Sequence, residues 1–195
     1  MSTESPGPER YELKKVGAGR PASPSSVGPM PEPSELGHPV AISFVLARTR
    51  RISVGVTAFS SYSNGFAFNM PVAFRDPRDG INLSRDVSSR WTAGLHGERP
   101  HLSNPFSLRL EFSDGTTAES GRGYGEKVAR LLNCLGASGG STDWKWDWFV
   151  SPLPPRGPIT FVFEWPEFDL HGRYVVTSSS KIVSSARKSQ RLLET

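Results

Sequence analysis

The chain has 195 residues, 36% of them hydrophobic and 22% charged, and a formal net charge of +4. That is room for one ordinary domain with tails. No apolar run approaches the ~20 residues that cross a bilayer as a helix, and MSTESPGPERYELKK lacks the apolar centre of a secretory leader. A single cysteine, Cys134, leaves no internal disulfide, which fits a reducing, cytoplasmic setting. From Arg173 to the C-terminus, Arg173, Lys181, Arg187, Lys188 and Arg191 stand against Glu194, a local excess of +4 that equals the total. The rest is balanced, so no field along the domain would hold a nucleic-acid backbone.

Residues 1–37 are rich in proline, serine and glycine and poor in large apolar side chains. Such a stretch buries too little surface to offset its ordering entropy and reads as a disordered arm, with Tyr11-Glu12-Leu13 as its one candidate docking segment. Order is expected from residue 38. Ile42, Phe44 and Leu46 alternate with smaller residues up to a charged turn, Arg48-Thr49-Arg50-Arg51. Ile52, Val54, Val56 and Ala58 form the next apolar face. Asn64-Gly65 suits a two-residue type I′ turn, in which both positions need positive φ. Phe66, Phe68, Met70, Val72 and Phe74 then repeat with a period of two. These runs predict a three-strand meander. Pro71, having no amide donor, places the third strand at an edge or a bulge.

Asp76 to Asn104 has no sustained periodicity and reads as a long surface loop. It holds His96 and His101 with Glu98 between them, a spacing compatible with a metal, although loop histidines of this kind are usually just solvated. Phe106, Leu108, Leu110 and Phe112 restore the period of two, with Arg109 and Glu111 facing water. Asp114-Gly115 turns the chain into Thr116-Thr117-Ala118. From Gly121 to Thr142, Val128, Leu131, Leu132 and Leu135 fit helical spacing, and an irregular strand fits the flanking glycines as well.

The strongest strand signal runs from Asp143 to Phe168, DWKWDWFVSPLPPRGPITFVFEWPEF. Trp144, Trp146, Trp148 and Val150 share one side, and Ile159, Phe161, Phe163 and Trp165 share another. A hairpin across the proline-rich turn is expected to anchor the core. Tyr174 to Thr177 is a last short strand. Ser178 to Ser180 precede a basic amphipathic helix over 179–195, whose stripe of Ile182, Val183, Ala186 and Leu193 docks on the sheet or on a partner protein. The whole pattern predicts a mainly β protein: an antiparallel β-sandwich of immunoglobulin-like architecture over 38–178, after a disordered arm and before a short C-terminal helix.

The chain holds no phosphate loop, Cys-x-x-Cys pair or His-Glu-x-x-His. Asp147 and Glu164 could face each other as glycosidase carboxylates do, but an outer-face cross-strand pair with Lys145 is the simpler reading. Trp144, Trp146 and Trp148 could stack on sugars. Strict alternation ending in Val150 favours the core instead, and no basic residues interleave them as a nucleic-acid platform needs. Cys134 reads as a packing residue. No catalytic, cofactor-binding or metal residue is assigned.

Asn64-Gly65-Phe66 followed by Phe68, Phe112-Ser113-Asp114-Gly115, the glycine-rich run before Trp144, Pro152-Leu153-Pro154-Pro155 with Gly157-Pro158, and Phe163-Glu164-Trp165-Pro166 occur in this order. In these motifs the chain, from His38 to Leu193, resembles a group of short uncharacterised actinobacterial β-sandwich proteins, departing from it around Gly121 to Cys134. The resemblance implies no activity and no site residues. The function expected is that of a non-catalytic intracellular module acting through protein contacts. The alternatives are a carbohydrate-binding module using the tryptophan strand, then a hydrolase using Asp147 and Glu164.

Overall fold

The computed structural model describes residues 29–95, 105–120, 129–177 and 179–193, with the backbone alone for 87–95. It is mainly β, and all its strand pairs are antiparallel. In order, the strands are β1 (Glu35–Leu36), β2 (His38–Val40), β3 (Phe44–Arg48), β4 (Ile52–Tyr62), β5 (Gly65–Phe74), β6 (Ser107–Phe112), β7 (Thr117–Glu119), β8 (Leu131–Gly139), β9 (Asp143–Ser151), β10 (Ile159–Trp165), β11 (Leu170–Val176) and β12 (Gln190–Arg191). Helix α1 (Pro77–Leu95) follows β5, and α2 (Ser180–Ala186) precedes β12. Two sheets pack face to face. One has the order β2-β4-β5-β9-β8 with β3 also on β4, and the other is β11-β10-β6-β7. Their inner faces share one core, from Val54, Phe68, Trp146 and Trp148 on one side to Leu108, Leu110, Phe161 and Trp165 on the other.

The expected meander is present as β3, β4 and β5, but its details are set by tertiary contacts. Ala58, at φ 51°, is the extra residue of a bulge in β4, where the register shifts between Thr57 and Ser60. The bulge inverts the alternation, so Ala58 is exposed and Phe59 takes the inward position. The β4–β5 turn consists of Ser63 and Asn64, since Tyr62 already pairs with Gly65, and neither Asn64 nor Gly65 has positive φ. The type I′ expectation is therefore wrong. Gly65 answers a packing demand: a Cβ there would run into Val150 O and lie 2.7 Å from Phe149 Cζ. Pro71 is also misplaced by its sequence signal, because β5 is central, between β4 and β9. Its missing donor is accommodated opposite Gly55, where the β4–β5 ladder is interrupted and a Cβ on Gly55 would sit 3.5 Å from Pro71 Cγ.

Two larger expectations are corrected. First, Asp143–Phe168 is not a hairpin. Strand β9 pairs with β5 and β8, while β10 pairs with β6 and β11. Residues 152–158, which include the cis Ser151–Pro152 bond, carry the chain from one sheet to the other. Secondly, much of the expected 76–104 loop is α1. Asp76 accepts the Arg78 N–H at 2.9 Å, Pro77 occupies a first-turn position that needs no donor, and Asp79 sits in the same turn. The described part of the helix docks through Gly80 and Leu83, and the sequence carries an i, i+4 series, Leu83, Val87, Trp91 and Leu95, that the loop reading overlooks. At Gly80 a Cβ would lie 2.8 Å from Gly140 O, so the helix rests on backbone.

The Gly121–Thr142 ambiguity resolves as strand from Leu131, with a bulge between Cys134 and Gly136. Asp114-Gly115 does form the β6–β7 turn, with Gly115 at φ 79°. Most of the arm lies outside the described residues, and its last part is ordered: β1 pairs with β12, Glu35 opposite Arg191 and Leu36 opposite Gln190. Asn64 and Asn133 donate to Met30 O and Pro29 O at 2.9 and 3.2 Å. Residues 29–37 thus run over the outer face of the larger sheet, where Phe149 is fully buried against Tyr62.

Candidate interaction surface

The tryptophan strand presents no stacking face. Trp144, Trp146 and Trp148 are 6%, 2% and 1% exposed: Trp146 meets Phe106 and Trp165, Trp148 meets Phe106, and Trp144 packs on Trp146. Asp147 and Glu164 are not brought together. Asp147 points outward from the larger sheet, where it accepts a hydrogen bond from Asn69 Nδ2 and lies 3.4 Å from Lys145 Nζ. Glu164 points outward from the smaller sheet, opposite Ser107 and His171. The core lies between them, so neither a shared bond nor a cross-strand pair between β9 and β10 is possible. Cys134 lies on an inward position of β8, and burial pushes its thiol up to about 11. His96, Glu98 and His101 fall outside the described residues. Among the described residues no group of three or more His, Cys, Asp or Glu side chains could hold a metal ion.

A cleft of about 350 Å³ between α1 and the 3₁₀ turn Pro166–Phe168 is lined by Asp79, Asn82, Asp86, Glu167 and Phe168. Arg51 binds Asp79 Oδ1 at 2.9 Å while lying 5.2 Å from the Phe168 ring centroid, and Asp79 Oδ2 is buried without a hydrogen-bond partner. This arrangement ties α1 to both sheets and reads as structural.

The C-terminal segment is different. Helix α2 has seven residues rather than the seventeen expected of 179–195. Ser179 does not cap it with its side chain. Its Oγ instead donates to Pro155 O, and its N–H donates to Gly157 O at 2.8 Å, fastening the helix to the inter-sheet crossing. Ile182 is 0% and Ala186 7% exposed, so most of the apolar stripe is spent on the protein's own sandwich. Leu193 is off the helix and 72% exposed. Beyond the helix, Ser189 Oγ donates to Glu35, which also accepts from Ser63 N and Ser63 Oγ at 3.0 and 2.8 Å. Burial works against the Glu35 charge, but these hydrogen bonds from Ser189 and Ser63, with Arg191 nearby, hold its pKa below the usual glutamate value. A clasp results, in which the two ends of the fold meet over the β4–β5 turn.

What this segment leaves outside is basic. Lys181, Arg187, Lys188 and Arg191 are all exposed, and none makes a salt bridge within 4 Å among the described residues. Arg156 is also exposed and is held next to α2 by the bonds of its neighbours Pro155 and Gly157 to Ser179. Besides Leu193, the segment and the clasp expose Leu36, at 55%, and Leu192, at 61%. These two lie on one face of the clasp because Leu36 opposes Gln190, two residues from Leu192. The charge was visible in the sequence. Arg156 and Leu36 had no local signal, since only the crossing and the clasp bring them here.

No family model, no curated protein and no solved structure matches this chain. The class it defines is therefore architectural: an antiparallel β-sandwich closed at one end by a docked C-terminal helix. No helix among the described residues is long and apolar enough to cross a membrane.

Proposed function

We propose that the protein is a non-catalytic intracellular module that acts through protein contact, and that its contact surface is the C-terminal segment with the clasp. One observation supports this reading: the helix buries Ile182 and Ala186 in its own domain, while Lys181, Arg187, Lys188 and Arg191 stay exposed and make no salt bridge within 4 Å among the described residues. A surface of unpaired charge costs a little in self-repulsion and is suited to long-range attraction of a partner.

The test is co-purification of the tagged full chain from its own cells, alongside a Lys181→Glu/Lys188→Glu double variant. Both substitutions are at exposed positions, so the melting temperature should stay within a few degrees of the parent. Loss of a reproducible partner from the variant is the expected result. A partner retained in full would move the contact surface elsewhere on the sandwich.

A further inference from the structure

Resting on the surface just proposed, we infer that its occupant is an acidic protein segment that also carries apolar side chains. Two features of the surface specify it. The first is charge: Lys181 lies on α2, Arg187 and Lys188 directly follow it, Arg191 is in β12 and Arg156 adjoins the start of α2, and all five are exposed. Of the described carboxylates, Glu35 faces Arg191 across the β1–β12 pair. Its carboxylate accepts hydrogen bonds from Ser63 and Ser189, and Asp114 is held by Thr116 and Arg130. The second feature is the apolar pair Leu36 and Leu192 on one face of the clasp, with Met30 at 52% exposure on the same arm.

The mixture decides between occupants. A nucleic-acid backbone would use the cations and leave the leucines in water. An anionic bilayer would use both, but surface anchoring draws on a continuous amphipathic helix with its apolar face free, and here Ile182 and Ala186 are already buried. A segment that places carboxylates against Lys181, Lys188 and Arg191 and apolar side chains against Leu36 and Leu192 satisfies both features together.

The experiment uses the full chain and a dye-labelled synthetic peptide that alternates glutamate with leucine, followed by fluorescence anisotropy. Controls are the same peptide with glutamine for glutamate, a short DNA duplex, and phosphatidylserine vesicles. The glutamate peptide should bind, more weakly as salt rises, with affinity about tenfold lower for Lys181→Glu/Lys188→Glu. Leu36→Ser/Leu192→Ser should weaken it without changing the salt dependence. Equal binding of the glutamine peptide, or capture of the duplex or vesicles in preference to the glutamate peptide, would overturn the inference. Should none of these probes bind while the charge variant still loses its cellular partner, the surface stands and the acidic–apolar chemistry is refuted. If that variant keeps its partner, the surface itself is wrong.

Discussion

Trp146 of the larger sheet and Trp165 of the smaller meet edge to face across the core, their ring centroids 6.2 Å apart and their planes at 90°. Around them, Phe106 lies 5.0 Å from Trp146 and 5.4 Å from Trp165, and Phe168 lies 4.9 Å from Trp165. Positive ring edges thus approach negative ring faces, which favours this geometry over stacking by a modest amount beyond area burial. Much of the energy that joins the two sheets resides in this aromatic layer.

Replacing Trp146 or Phe161 by alanine should therefore cost roughly 3–5 kcal/mol, much of the stability of an ordinary domain. Urea denaturation measures it. If both variants kept the parent midpoint, the side chains would not be carrying the core.

Arg130 is a second fastening point. Its side chain is 10% exposed, donates to Asp114, Thr116 and Leu153 O, and lies 4.7 Å from the Phe112 ring centroid. It joins the β6–β7 turn to the inter-sheet crossing. Arg130→Ala should destabilise by about 1–3 kcal/mol. Lysine should restore little, because it lacks the planar fork that serves several acceptors at once.

Asp114 in that cluster gives a pH signature. The hydrogen bond from Thr116 Oγ1, aided by Arg130, draws its pKa down to about 2. A depressed carboxylate stabilises the fold fully above its unfolded value and loses that contribution as pH falls towards the folded one. Thermal melts from about pH 5 to about pH 2 should thus fall more gently in Asp114→Asn, which also starts from a lower melting temperature at neutral pH. Parallel curves for the two proteins would refute the assignment.

Two glycines separate packing from chain flexibility. Gly65→Ala forces a methyl group into Val150 O and the Phe149 ring and should cost about 1–3 kcal/mol. Gly136→Ala meets nothing within 4 Å at an ordinary φ, and its effect should stay within about 0.5 kcal/mol. Denaturation midpoints of the pair provide the comparison; equal losses would mean that a side chain at 65 is not what the site rejects.

The docked helix makes a similar contrast. Ile182→Ala, at a fully buried site, should lose about 2–5 kcal/mol, whereas Leu193→Ala should change stability by no more than about 0.5 kcal/mol. Deleting Lys181–Thr195 should lower the melting temperature further, as it removes Ile182 and the clasp together. A deletion that melts like the full chain would show that the helix adds nothing to the sandwich.

The sequence by itself determined the strands and their inward sides. Alternation along Phe66–Phe74, Phe106–Phe112, Trp144–Val150 and Ile159–Trp165 is a local consequence of Cβ geometry, and it carried over into the core residue by residue. Only the tertiary structure decided which strands pair. Backbone donors and acceptors are the same on every strand, so nothing local tells β10 to leave β9 and join β6 and β11. Pro71 sits in a central strand where the β4–β5 ladder is interrupted, and Ala58 faces water because a bulge shifts the alternation by one residue. Helix α1 was legible in part: Leu83, Val87, Trp91 and Leu95 recur every four residues, but the glycines at 80 and 94 and the polar residues between them gave the stretch the composition of a loop. The surface around α2 followed the same division: its cations were legible as composition, but their company depends on contacts between residues far apart in the chain. Leu36 and Leu192 share a face only because β1 and β12 pair, and Arg156 joins them only because Ser179 holds the inter-sheet crossing against the helix.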